Sequence, residues 1–145
     1  MNTKTFLKSM LAATVMISGG TFAADWLTAG TVGDRLAVYV DSGSWQSNGG
    51  GVARVEAMED FGRTLFLNGE SQGHQSRSST LVVDCGTRRV GFDAWRLHEG
   101  ARGEGRVVAH WESQGLVAMF QPAAGSSQAR VLARTCGGAA VAAVR

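Results

Sequence analysis

The sequence predicts an α+β domain that is mostly β, ends in one helix and is closed by one disulfide. Three observations carry that expectation. Short segments of alternating side chains recur along the chain, separated by turns drawn from 20 glycines and a single proline. Helical spacing is confined to the tail, at Ala129, Val131, Leu132 and Thr135. Finally, two cysteines, Cys85 and Cys136, lie behind a segment that reads as a secretory leader. An even cysteine count in an exported chain usually means a disulfide.

The leader is residues 1–23. Lys4 and Lys8 give it a positive start, Leu11 to Ile17 an apolar run, and Thr21-Phe22-Ala23 a cleavage site. That run falls well short of the roughly 20 residues a spanning helix needs, so the reading is a cleaved signal and no membrane span. No cysteine follows the cleavage site, so no lipid anchor is expected there. The product is an exported protein, periplasmic or secreted to the cell surface, with a single domain over 24–136 and a disordered tail over 137–145.

The elements follow in order. Leu36 to Val40 alternates as a half-buried strand ending at Asp41. Asn48-Gly49-Gly50-Gly51 is a turn, and Val52 to Asp60 returns as the hairpin partner. In that return strand Ala53, Val55 and Ala57 form a small apolar face opposite Arg54, Glu56 and Met58. Residues 68–79 are polar and read as a flexible loop. Strands are expected at Ser79 to Cys85, Arg88 to Leu97 and Arg106 to Trp111, with one more at Leu116 to Phe120. The helix starts at an N-cap of Ser126 or Ser127 and stops before Gly137-Gly138, which places Cys136 just past its end. The open edges at Asp25 to Thr28 and around Val117 are candidate surfaces for a homodimer.

Charge excludes one function class. After Ala23 the chain carries twelve arginines and twelve acids, and this neutrality argues against a nucleic-acid binder. The signs are unevenly distributed. Residues 24–76 hold three arginines and seven acids, whereas residues 77–145 hold nine arginines and five acids. Pairing between the halves would neutralise both, and an unpaired remainder would offer a basic face to an anionic polymer.

The chemical-looking motifs have plainer explanations. Gly69-Glu70-Ser71-Gln72-Gly73 matches the G-x-S-x-G nucleophile elbow, but polar loop residues follow it where the elbow needs a helix. Asp41-Ser42-Gly43 reads as a turn capped by its own side chains. His74, His98 and His110 lack metal-ligand spacing, and the cysteines are not a C-x-x-C pair. No enzyme, metal or cofactor is therefore expected. Trp26, Trp45, Trp95, Trp111 and Tyr39 read as packing residues, with Trp45 partly exposed in its turn.

Taken together, Trp26, Tyr39-Val40-Asp41, Ser44-Trp45, the strand from Ser79 to Asp84-Cys85, Arg88-Arg89 and the late Cys136 resemble the surface-adhesin protein E family. The resemblance spans roughly Trp26 to Cys136. It implies a curved antiparallel sheet of about six strands packed on the C-terminal helix, with the disulfide pinning the two. It also implies a non-catalytic binding module for extracellular-matrix or serum proteins. The candidate binding surface is Trp45, His74, Arg77, Arg88, Arg89 and Arg96, extended by Arg102 and Arg106. The competing reading is a periplasmic small-ligand or envelope-stress protein using the concave face of the sheet.

Overall fold

The computed structural model describes residues 24–142, those after 137 by their backbone alone. The strands are β1 (Trp26–Val32), β2 (Leu36–Asp41), β3 (Gln46–Ser47), β4 (Val52–Phe66), β5 (Gly73–Asp84), β6 (Arg89–His98) and β7 (Val107–Glu112), followed by helix α1 (Ser127–Ala142). All pair antiparallel in one open sheet of order β1-β2-β4-β5-β6-β7, with the short β3 on β4. The mostly-β class, the single C-terminal helix and the expected disulfide are all present.

Alternation decides which face of the sheet the helix covers. Val38 and Val40 on β2, Ala53, Val55 and Ala57 on β4, Leu81 and Val83 on β5, and Val90 on β6 form one apolar face. They meet Val131 and Leu132 of α1 in the core. α1 touches β1, β2, β4 and β6. β1 and β6 lie four strand spacings apart, about 19 Å across a flat sheet. A helix is only about 10–12 Å wide, so the sheet must curve around it. On the β1 side Gly30, which holds a left-handed φ of 120°, lies against the Arg130 side chain of α1. A Cβ there would lie 2.9 Å from the Arg130 guanidinium of α1.

The helix begins as its sequence prescribes. Ser126 is the N-cap, its Oγ accepting the backbone N–H of Ala129 at 3.2 Å. Cys85, just past the end of β5, is bonded to Cys136 with their Cα atoms 5.5 Å apart. The expected stop at Gly137-Gly138 is not observed: α1 runs on to Ala142, and Cys136 sits inside it. Glycine lowers helix propensity by about 1 kcal/mol but does not forbid a helix, and the disulfide anchors the turn just before it. The expected disordered tail is thus helical over 137–142, and residues 143–145 lie outside the described residues. So does the leader at 1–23.

Two further expectations are corrected. The loop placed at 68–79 is strand from Gly73 onward. Ser76 and Ser78 looked like loop because the face of the sheet they join is itself polar and gives both hydroxyls partners. The segment Leu116 to Phe120 is not a strand. Only Phe120 bridges, to Val90, while Val117, Ala118 and Met119 pack over Gly91. The edges of the sheet are therefore β1 and β7.

Candidate binding surface

The turn between β5 and β6 is built by one carboxylate. Asp84 Oδ1 accepts the backbone N–H groups of Gly86 at 2.9 Å and Thr87 at 3.1 Å, and Oδ2 accepts the Thr87 hydroxyl at 2.7 Å. The Thr87 hydroxyl, then the Thr87 amide, hold the Asp84 carboxyl below the usual carboxylate range; Gly86 and the nearby Arg89 add to this. Cys85, in the same turn, is tied to α1. Arg88 and Arg89 stand exposed on this braced tip, and Arg88 holds a left-handed φ of 59°. A non-glycine residue in that region costs roughly 1 kcal/mol, so the backbone alone would prefer glycine. Neither arginine has an ion-pair partner among the described residues.

The face of the sheet away from α1 is polar and internally matched. Arg54 on β4 pairs with Asp93 on β6, and Arg96 with Glu112 on β7 at 2.8 Å. Thr80 donates to Glu56 at 2.7 Å, and Ser78 Oγ lies 2.8 Å from His98 Nε2. Toward the β6–β7 loop the face is covered. Ser76, wholly buried, donates from Oγ to the Gly100 carbonyl at 2.6 Å and accepts the Gly103 N–H at 2.8 Å. Arg102 then reaches over the Tyr39 ring, 5.8 Å from its centroid.

The expected surface residues divide accordingly. Arg88 and Arg89 share the braced tip. Arg96 lies on the helix-free face, already paired, and Trp45 is half-buried against the core. Arg106 stands 3.9 Å from Glu99 in its own loop. Arg77 turns to the helix side, where it pairs with the buried Glu59 and lies 5.3 Å from the Phe92 ring centroid. His74 is buried on β5 with its ring edge-on to Phe61, so it does not belong to the surface. Burial, then the Arg77 charge, push the His74 ring below its ordinary value, and Glu70 opposes this weakly. The expectation failed because residues 73–78 read as loop. The alternation of His74, Ser76, Ser78 and Thr80 was the available signal for a strand with a polar face.

The remaining motifs fall into scaffold. Ser71 lies exposed in the connection between antiparallel β4 and β5, which is not the strand–turn–helix of a nucleophile elbow. Asp41 caps its turn by accepting the Gly43 N–H at 3.0 Å. No cluster of three metal-ligating side chains occurs among the described residues. The void between the start of α1 and the sheet holds about 10 Å³, room for about one water.

A curved antiparallel sheet clasped to a terminal helix, with charge displayed on turns and faces, defines a small disulfide-braced module. A model of the family described as surface-adhesin protein E matches residues 26–137, and the chain belongs to that family. No curated protein matches the chain. Among solved structures, protein E from non-typeable Haemophilus influenzae is similar over 91% of this chain and 85% of its own, at 11% identity and a TM-score of 0.55. A second crystal form of Haemophilus influenzae protein E is similar over 70% of this chain and 80% of its own, also at 11% identity, with a TM-score of 0.53. At that identity the likeness is one of fold.

Proposed function

We propose that this protein is exported and acts as a non-catalytic binding module for acidic surfaces of extracellular-matrix or serum proteins, through the Arg88–Arg89 tip. The observation that carries the reading is the bracing of that tip. Asp84 spends its acceptors on the turn, so although it faces Arg89 in register, neither guanidinium forms an ion pair among the described residues. Arginine is favoured at binding hot spots because a planar, fixed fork meets carboxylates bidentately. Family membership supports both export and adhesion. The small-ligand reading draws no support from the void under α1, which is far below the few hundred Å³ a ligand pocket needs.

The test is surface plasmon resonance of the purified domain over immobilised matrix and serum proteins. Saturable micromolar binding that weakens with salt and is lost in Arg88→Ser/Arg89→Ser supports the reading. Absence of saturable binding, or binding indifferent to both arginines, overturns it.

A further inference from the structure

The β6–β7 loop, residues 99–106, does more than connect two strands: it folds back onto the helix-free face. Ser76 grips it at Gly100 and Gly103, and Arg102 reaches toward Asp60 at 4.0 Å. A Cβ on Gly103 would lie 2.7 Å from Met58 Cε, so the loop sits directly on the buried Met58. His98 is the residue from which the loop departs, and it pairs in register with Ser76. His74 lies two residues from Ser76, on the same face of β5.

Both histidines are buried, and in both the Nδ1 atom has no hydrogen-bond partner. A doubly protonated ring must carry a proton on Nδ1, where no acceptor stands. We propose that the 99–106 loop is an acid-released latch, held on the sheet while His98 and His74 are neutral and freed when they take up protons. Release uncovers Met58 and the Tyr39 ring, turning a covered polar face into one with an apolar centre.

The surrounding charges favour that direction. The charged and titratable groups facing this region are Tyr39 on β2, Arg54, Glu56 and Asp60 on β4, Glu70 before β5, Arg77 on β5, Asp93 and Arg96 on β6, Glu99, Arg102, Glu104 and Arg106 in the loop, and His110 and Glu112 on β7. Asp60 lies near Arg102, and Glu99 near Arg106, so neither acid is free to welcome a new cation. Burial, then Arg96, lower the His98 ring from its ordinary value; burial, then Arg77, do the same for His74. The closed loop therefore favours neutral rings. Its stabilisation is fully present above the ordinary histidine value near 6.5 and is lost as pH falls through that value toward the lowered ones.

The latch is independent of the arginine tip, and its test reads the loop alone. Amide hydrogen exchange of the folded protein is measured at pH 7.5, 6.5, 5.5 and 5.0 and normalised to intrinsic rates. Protection at Gly100, Gly103 and Glu104 should fall at least tenfold by pH 5.0, with a ceiling of about thirtyfold for each ring that stays neutral when closed. Protection at Val55 and Leu81 should hold. His98→Gln should remove most of the fall, and His98→Gln with His74→Gln all of it. Protection that is constant with pH, or lost equally at Leu81, overturns the latch, as does an unchanged fall in the double variant. Should those variants fail to fold, NMR titration of the wild-type rings decides: values at or above the ordinary one overturn it.

Discussion

Replacing both cysteines, Cys85→Ser with Cys136→Ser, should cost as much as a large core truncation and should act first on the helix. The bond closes a sequence separation of 51 residues. Chain entropy assigns such a loop about 4 kcal/mol of restraint on the unfolded state. Among the described side chains of the helix, Val131 and Leu132 are the buried apolar ones, each worth about 1.5–3 kcal/mol. The disulfide is thus comparable with that apolar attachment of α1. A helix of 16 residues is marginal alone in water, and this one has two glycines in its second half. At roughly 2.1 cal/mol/K of unfolding entropy per residue, a domain of this size should lose about 15 °C in Tm. Calorimetry of the double variant measures the fall, and hydrogen exchange locates it. A shift below about 3 °C would refute the reasoning, as would α1 amides that stay as protected as in the parent.

The other predictions concern single contacts. Gly91→Ala should destabilise by about 1–3 kcal/mol in urea titrations, because its Cβ would lie 2.4 Å from Val117 and 2.8 Å from the Ala118 carbonyl. Leu81→Ala, at a site 2% exposed in the core, should cost about 2–5 kcal/mol by the same assay. Arg88→Gly should leave stability unchanged or raise it by up to about 1 kcal/mol, since it relieves a left-handed residue, while weakening binding. The amide resonances of Gly86 and Thr87 should titrate with Asp84 at a midpoint below the ordinary value of 3.8, because the turn's contribution is present above that value and lost as pH falls through the lowered one.

Much of the fold was legible because its core face alternates cleanly. Ala53, Val55 and Ala57 announced a buried strand face, and the helical spacing of Val131 and Leu132 announced the element that covers it. The start of β5 was not legible. The partners of these residues are distant in sequence: Phe61 for His74, Gly100 for Ser76 and His98 for Ser78. Local polarity therefore resembled a loop, although the period of two was present. The segment from Leu116 misled in the opposite sense, since its apolar residues cross over Gly91 without pairing along a strand. Of the candidate surface, Arg88 and Arg89 could be named from sequence. That Arg77 is spent inside and His74 is buried depended on pairings with Glu59 and Phe61 that sequence does not display.

The uneven charge of the two halves is largely resolved by pairing within the fold. Acids from the first half meet arginines from the second at Glu59–Arg77 and Asp60–Arg102, and Arg54 reciprocates with Asp93. These pairs join neighbouring strands, reach across β5 from β4 to β6, or tie the sheet to its loop, so pairing consumes much of the asymmetry within the fold. One face of the sheet is closed by α1, and the other is closed by its own ion pairs and by the 99–106 loop. At the β5–β6 turn Arg89 faces Asp84, whose oxygens hold the turn, and Arg88 stands exposed at the tip without an ion pair. Exposed charges of this kind add little to stability, and salt screens them over about 8–10 Å. Retaining Arg88 in a conformation that favours glycine therefore has no stabilising return within the domain. Salt dependence and the Arg88→Gly variant therefore discriminate directly between a binding tip and an idle turn.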